Sequence, residues 1–430
     1  MDTRIIFSIV SLLFINFSLV QAQPAIFDIT KFGAAPDGKA DASQAIADAW
    51  KEACAAAGSS KILIPAGKFL AGRSSGNRAS PPELVGGDGW FNFNHIDQFT
   101  LSGKGTLDGQ GQVAWKGVLI GEISAYFGSV GALPAVAGLW TAAGHVTGTS
   151  AGADLRAAVV VAGAVFAAGA SVGADFWTAA GSAVNIRFNF ITKGLVRDIT
   201  SLNSKYFHVN VFGCDDFTFE GFKVSTPEGS LNTDGIHIGR SKGVTISNAK
   251  IGTGDDCISI GDGTENLKIT KVACGPGHGI NIGSLGKYEN EDPASGITVS
   301  DCTLTGTTNG VRIKTWPAMF PNTATNIHFQ DITMEKFSNP IIVDQMYCPW
   351  NKCNKKEPSK VKISDVSFKN IKGTSATALT VQLICSSGVP CEKVELANID
   401  LTYSGPEGPA KSECIDVKPT IVGKIPERCK

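Results

Sequence analysis

Three polar clusters hold the residue types that acid–base chemistry uses: Asn232-Thr233-Asp234, Gly254-Asp255-Asp256 and Gly277-His278-Gly279. Asp234, Asp256 and His278 follow one another at intervals of 22 residues. If the chain winds in coils of about that length, the three fall at one angular position, side by side on an outer face. Arg312 and Lys314, 34 and 36 residues beyond His278, reach the same neighbourhood one coil later. Carboxylates gathered in low dielectric repel, so at least one of the three is expected to keep its proton near neutral pH. A protonated acid beside ionised ones suits glycosidic hydrolysis, in which the acid protonates the leaving oxygen and a carboxylate activates water. Neighbouring coils lie about 4.8 Å apart, which fits either the wider carboxyl separation of inversion or the narrower one of retention. Stereochemistry therefore stays open at this level.

Adjacent Asp255 and Asp256 cannot both face one side of a regular strand, because consecutive side chains alternate. A bend is required there, and Gly252 and Gly254 supply the backbone freedom for it. Taken singly, each cluster also has a plain reading: a turn-capping Asp, a solvated acidic pair, a structural His between glycines. Arg312 and Lys314 could likewise be a basic strand edge that discourages aggregation. Equal spacing on one face is what favours chemistry, and beside carboxylates two cations suit an anionic substrate.

The elements that must position these groups show as a repeat. From about residue 194, apolar residues occupy positions 0, +2, +5 and +7 of successive units. Examples are Phe217, Phe219, Phe222, Val224 and Val244, Ile246, Ala249, Ile251. The pattern continues at Leu267, Ile297, Ile327, Val361 and Val394. Each pair alternates as strands do, and the extra residue between pairs marks a bend. Two short strands joined by a bend, recurring every 20 to 40 residues, predict a single all-β solenoid of parallel coils with a shared apolar interior. An antiparallel sandwich would need frequent two-residue hairpin signals, which are scarce. Helical spacing from Asp41 to Cys54 predicts a short helix capping the open first coil, with Asp41 or Ser43 as N-cap.

The chain has 430 residues, 49 Gly and a formal net charge of -1, from 38 Lys+Arg against 39 Asp+Glu. Near-neutrality removes the basic field of a nucleic-acid binder. Arg4, the apolar run Ile5 to Val20 and Val20-Gln21-Ala22 predict a signal peptide over residues 1–22, a run short for a membrane anchor. The mature protein, 23–430, is then exported with no membrane segment. Eleven Cys in such a chain favour disulfides and leave at least one thiol over. Candidate pairs are Cys257/Cys274, Cys348/Cys353, Cys385/Cys391 and Cys414/Cys429. Scattered His and the lack of a CxxC pair argue against structural zinc. From about 118 to 184 the solenoid pattern is interrupted by an Ala/Gly/Val-rich stretch. Its composition suggests retained noncoding sequence, a loose loop or an appended helical hairpin ahead of a membrane span at Ala157–Ala174, since Ala and Gly provide little transfer energy.

Asn232-Thr233-Asp234-Gly235, Gly254-Asp255-Asp256-Cys257, Gly277-His278-Gly279 and Arg312-Ile313-Lys314, in that order and spacing, resemble the motifs of the polygalacturonases. These are pectin-degrading glycoside hydrolases with right-handed parallel β-helix folds. Phe32-Gly33-Ala34, Asp37-Gly38, Ile64-Pro65-Ala66-Gly67 and Asp108-Gly109-Gln110-Gly111 agree, and the C-terminal half most resembles plant pollen-type exopolygalacturonases. The resemblance implies inverting hydrolysis of α-1,4 bonds between galacturonates. Asp255 matches the general acid, Asp234 and Asp256 the residues that activate water, and His278 the histidine that maintains the acid's protonation. Arg312 and Lys314 match a clamp for the substrate carboxylate, while Tyr347 and Asn232 match substrate-contacting positions. A Cys257–Cys274 disulfide, no metal, no cofactor, a pectin substrate and a secreted, monomeric cell-wall enzyme are implied with it. The chain departs from the family before Ile186-Arg187-Phe188, where relatives carry a short loop with a cysteine pair. A lyase and a catalytically impaired pectin-binding wall protein are the rival readings.

Overall fold

The computed structural model describes residues 23–71, 89–112, 115, 157–161, 164–168, 184–349, 351, 353–427 and 429. The expected signal sequence, residues 1–22, lies outside these residues, as does most of the Ala/Gly/Val-rich stretch. Among the described residues the strands form two parallel sheets, one of 22 strands and one of ten. The chain alternates between them as it winds, which makes a right-handed parallel β-helix. In the ten-stranded sheet the neighbours follow chain order from Gly89–Asn94 to Lys411–Ile415.

Side-chain alternation explains the register. Ile236, Ile258 and Ile280 are fully buried and lie in one row, as do Ile238, Ile260 and Ile282. Each such burial stabilises by roughly 1.5–3 kcal/mol. A slip of one residue would turn the whole row to solvent, so the register is held firmly. In the larger sheet Phe219, Ile246, Ile269, Val299 and Phe329 form a similar buried row. The expected bend is real: position +4 of each unit is a left-handed residue, from Gly221 (φ 63°) through Asn248, Lys271, Asp301, Asp331 and Asn370 to Asn398 (φ 52°). Asn and Asp tolerate that conformation better than most residues. Some of these corner side chains bond along the stack, with Asn370 donating to Asp331 at 2.9 Å and Asn398 to Asn370 at 3.1 Å.

The sixth unit needs correction. Val361, Ile363, Val366 and Phe368 are all buried, but Ile327 pairs with Val366, Phe329 with Phe368 and Met334 with Gly373. The unit is therefore Val366, Phe368, Ile371 and Gly373, five residues later than the apolar pattern alone indicates. A glycine at +7 hid the true frame.

The capping helix runs from Ser43 to Ala55 and buries Ala45, Ile46, Ala49, Trp50 and Ala53. Trp50 packs against Phe93 with ring centroids 5.8 Å apart. Neither expected residue is the N-cap: Ala42 holds that position, and the Asp41 carboxylate accepts the Ser43 N–H at 2.9 Å. The Ala/Gly/Val-rich stretch also differs from expectation. Ala157–Val161 pairs with both Ser60–Ile64 and Thr100–Gly103, and Ala164–Ala168 pairs with both Gly67–Ala71 and Thr106–Asp108. The described parts are thus strands intercalated in the solenoid, not a helical hairpin or a membrane helix. Among the described residues no helix is long and apolar enough to cross a membrane.

All four candidate disulfides are present. Three thiols remain, Cys54, Cys214 and Cys302, of which Cys214 and Cys302 are buried. Burial pushes the thiols of Cys214 and Cys302 up to about 11, so they pack as small apolar groups.

Gly279, next to His278, is a position where the backbone needs glycine. Its φ is +86°, and a Cβ there would overlap the backbone oxygens of Asn309 and Gly310 on the next coil. Gly279→Ala is expected to cost at least about 1–3 kcal/mol, read as a lower midpoint in thermal or urea unfolding. An unchanged midpoint would mean that the close approach is not needed.

Candidate active site

The row Ile236, Ile258, Ile280 places the residues two positions upstream, Asp234, Asp256 and His278, on three consecutive coils. Backbone bonds carry the stacking through this point. The Gly235 N–H donates to the Asp256 carbonyl at 2.9 Å, and the Cys257 N–H donates to the Gly279 carbonyl at 2.9 Å. Asp255 joins them through the bend expected at Gly254. Thr253 donates its hydroxyl to the Thr233 carbonyl, the Gly254 N–H reaches Thr233 Oγ1 at 3.1 Å, and the Asp256 N–H reaches Asp255 Oδ1 at 2.8 Å. Ser230 completes the hydroxyl network, 2.7 Å from Thr233 Oγ1. Side-chain bonds within the turn thus replace strand alternation and aim both acids at one side.

His278 Nδ1 lies 3.1 Å from Asp255 Oδ1. These are the more open members of the site, with side chains 42% and 27% exposed. Asp256 is enclosed at 5% exposure, with Lys314 Nζ 3.0 Å from its Oδ2 and Asn281 donating to its Oδ1. Asp234 is buried and bonded to Ser259, whose hydroxyl in turn lies 2.9 Å from His237 Nδ1.

These surroundings divide the protons. Burial, then the charges of Asp256 and Asp255, raise Asp234 well above the usual carboxylate range. Asp256 is raised too, by burial and by Asp255, against the downward pull of Lys314. Burial also pushes Asp255 upward, but the hydrogen bond and charge of His278 outweigh it and hold Asp255 below the ordinary value. The bond to Asp255 correspondingly raises His278 above 6.5, against its own burial. Lys314 stays protonated because Asp256 and Tyr347 outweigh its burial. Burial and repulsion thus raise the proton affinity of Asp234 and Asp256, while the bond between Asp255 and His278 lowers the one and raises the other.

The cations are engaged within the protein. Lys314 is bound to Asp256, and Arg312 Nη2 lies 2.9 Å from Asp344 Oδ2. Both face Tyr347, with the guanidinium carbon 4.9 Å and the ammonium 5.5 Å from its ring centroid. Arg312 Nε remains buried without a partner. Asn232 stands exposed at the rim in a left-handed conformation, φ 51°, two residues before Asp234. The fold thus gathers Asp234, Asp255, Asp256, His278 and Lys314 tightly, with Arg312 and Tyr347 adjoining and Asn232 at the edge.

The spacing of the clusters did not draw attention to Ser259, Asn281 or His237. They carry the same signal, since His237, Ser259 and Asn281 are also 22 residues apart, three positions after Asp234, Asp256 and His278. Each is an outward residue between two buried ones, in one row with Arg187, Asn210 and Arg312. His237, lowered to about 4 by burial, is neutral at working pH.

Ligand atoms of Asp255, Asp256 and His278 lie within 4.8 Å of one another, close enough to hold a metal ion. His278 Nδ1 is already bonded to Asp255, and the Lys314 ammonium already sits on Asp256. These donor atoms are thus already engaged with one another and with Lys314, an arrangement suited to acid–base chemistry.

The profile of Glycosyl hydrolases family 28 matches residues 157–424. The chain is 46% identical to an exopolygalacturonase of Oenothera organensis over 90% of its own length and 98% of the relative's. It is 43% identical to a polygalacturonase of Gossypium barbadense over 96% of its length and 92% of the relative's. Among solved structures, the endo-xylogalacturonan hydrolase of Aspergillus tubingensis superposes with a TM-score of 0.65 at 18% identity, covering 92% of this chain and 99% of that one; at that identity the likeness concerns the fold. With the carboxylate cluster in place and the match extending over nearly the whole chain, this protein belongs to glycosyl hydrolase family 28.

Proposed function

We propose that the protein is a polygalacturonase that hydrolyses α-1,4-galacturonosyl bonds of pectate with inversion, releasing sugar from the chain end. The observation that carries this reading is the Asp255–His278 pair facing the opening beside the enclosed Asp234–Asp256 pair. End-directed action is supported by the relatives named exopolygalacturonases. Export to the cell wall is supported by the N-terminal sequence and by four disulfides, which form in oxidising compartments.

The roles follow from solvent access and charge. When a sugar covers the Asp255–His278 ion pair, loss of water favours the neutral arrangement, in which the proton moves from imidazole to carboxyl. Asp255 then gives that proton to the glycosidic oxygen as the bond to the anomeric carbon breaks. A water held by Asp234 and Asp256 attacks the opposite face, and Asp256, kept ionised by Lys314, takes its proton. Asp234, whose proton affinity burial raises, helps to hold that water. The raised proton affinity of Asp234 offers a different donor, and paired substitutions separate the two. An intact cluster weighs against the catalytically impaired reading. Activity retained in chelator, with saturated products, would weigh against a lyase.

Asp255→Asn should lower kcat on polygalacturonate by more than about 10²-fold, the lower end of what general acid catalysis contributes. Near-normal turnover in that variant, with loss in Asp234→Asn, would transfer the acid role to Asp234. The pH–rate profile should fall on its alkaline side above pH 6.5, because the proton shared by Asp255 and His278 is lost as pH rises through the raised value of the imidazole. Its acid side should lie above the ordinary carboxylate value of 3.8, where Asp256 gains a proton and can no longer act as base. His278→Ala should move the alkaline side to lower pH, and an unmoved limb would remove His278 from the proton pathway. Product analysis should find monomer early, whereas a ladder of mixed oligomers would exclude end-directed action.

A further inference from the structure

The outward row on the ten-stranded sheet reads Arg187, Asn210, His237, Ser259, Asn281 and Arg312 on six consecutive coils. Each lies between two buried apolar residues, as Arg187 does between Ile186 and Phe188 and Asn210 between Val209 and Val211. The row therefore continues past the catalytic coils in both directions. Asp234 shares a coil with His237, and Asp256 with Ser259. An arginine stands two coils before the first and another two coils after the second, each roughly 10 Å away at the spacing of neighbouring strands.

The two arginines differ in their partners. Arg312 is paired with Asp344. Among the described residues Arg187 pairs with no carboxylate, and its Nε is buried with no hydrogen-bond acceptor. On the next coil the Oδ1 of Asn210 is buried with no donor. Unpartnered buried polar atoms are costly and call for an explanation. Here the two are complementary: a donor that needs an anion or carbonyl, and one coil along an acceptor that needs a hydroxyl. Tyr206 stacks on Phe207 at 4.3 Å, and Phe207 on His237 at 5.1 Å, an aromatic run that reaches the coil of Asp234. Tyr206 is close enough to Asp234 and Asp255 that their charges, after its burial, raise its hydroxyl.

We propose that Arg187 and Asn210 form a uronate-binding subsite two coils to the N-terminal side of Asp234, the guanidinium receiving a sugar carboxylate and the amide oxygen a sugar hydroxyl. The proposal rests on the reading of the protein as a polygalacturonase, since it names where a second acidic sugar of that substrate is held. A guanidinium binds a carboxylate through two parallel N–H bonds, and among the described residues that of Arg187 has no carboxylate of its own. The acidic sugar would be recognised by its charge at a distance from the bond being cut, so Arg187 contributes to affinity and to discrimination against esterified or neutral chains.

The test compares wild type, Arg187→Ala, Arg187→Gln and Arg187→Lys on galacturonate oligomers of defined length, with oligomer binding measured by calorimetry on the same substitutions in an Asp255→Asn background. Loss of a charge-assisted contact should raise KM and Kd about tenfold to a hundredfold for oligomers of three or more sugars, with kcat changed by less than about threefold. Arg187→Lys should recover part of the affinity, and the salt dependence of KM should be flatter in the alanine and glutamine variants. Unchanged KM and Kd in a folded Arg187→Ala or Arg187→Gln protein would overturn the subsite. So would a lowered unfolding midpoint with unchanged binding, which would mark Arg187 as structural. Failure of wild type to release reducing ends from polygalacturonate would instead defeat the reading of function, while the Kd comparison would still report on the subsite.

Discussion

In-register stacking of parallel coils is the constraint on which the rest depends. Buried rows such as Ile236, Ile258 and Ile280 tie each coil to the next, and the pleat fixes which residues point inward. Once the inward row is set, every outward row is set too. Groups 22 residues apart in the chain then become neighbours about 4.8 Å apart. The site needs no special supporting structure beyond this, except at the Gly254 turn, where hydroxyl groups of Thr233, Thr253 and Ser230 replace strand pairing.

That scaffold brings together charges of both signs whose mutual effects are stronger than any one of them shows alone. Lys314 lies against Asp256, His278 against Asp255, and Asp234, left without a cation of its own, has its proton affinity raised. Three acids can share a low-dielectric pocket only where cations and protons offset their charge. The more exposed pair faces the solvent and can be covered by a ligand, while the enclosed pair is already insulated. Different burial gives chemically identical side chains different work.

Much of this was legible in the chain because the repeat has a simple physical origin. Alternation at 0/+2 and +5/+7 reports burial directly, and equal spacing reports angular position. The frame slipped at Val361 because hydrophobicity cannot distinguish a buried residue at a coil corner from one at the start of a unit, and Gly373 carries no side chain to mark +7. The left-handed corner residues at +4 were a second signal of the same period, carried by Asn and Asp instead of apolar residues. Within the site, spacing located the acids, the imidazole and the lysine. It could not say which carboxyl holds the proton, because that depends on burial and on the partners of Lys314 and His278. It also left the internal pairing of Arg312 with Asp344 out of view, since Asp344 lies a further coil away. The Ala/Gly/Val-rich stretch was hard to read because small residues give weak periodicity, yet backbone pairing can still enlist them as strands.

The four disulfides all lie at or beyond Cys257. The first of them ties the residue that follows Asp256 to Cys274, near the glycine turn that carries His278. Closing a loop of that size contributes about 3 kcal/mol in the chain-entropy view. A molecule kept where glutathione holds thiols reduced would lack the tie at the very turn that aims its acids. Oxidative maturation would then act as a safety catch, leaving the newly made protein poorly armed until it has passed into the compartment where its disulfides close.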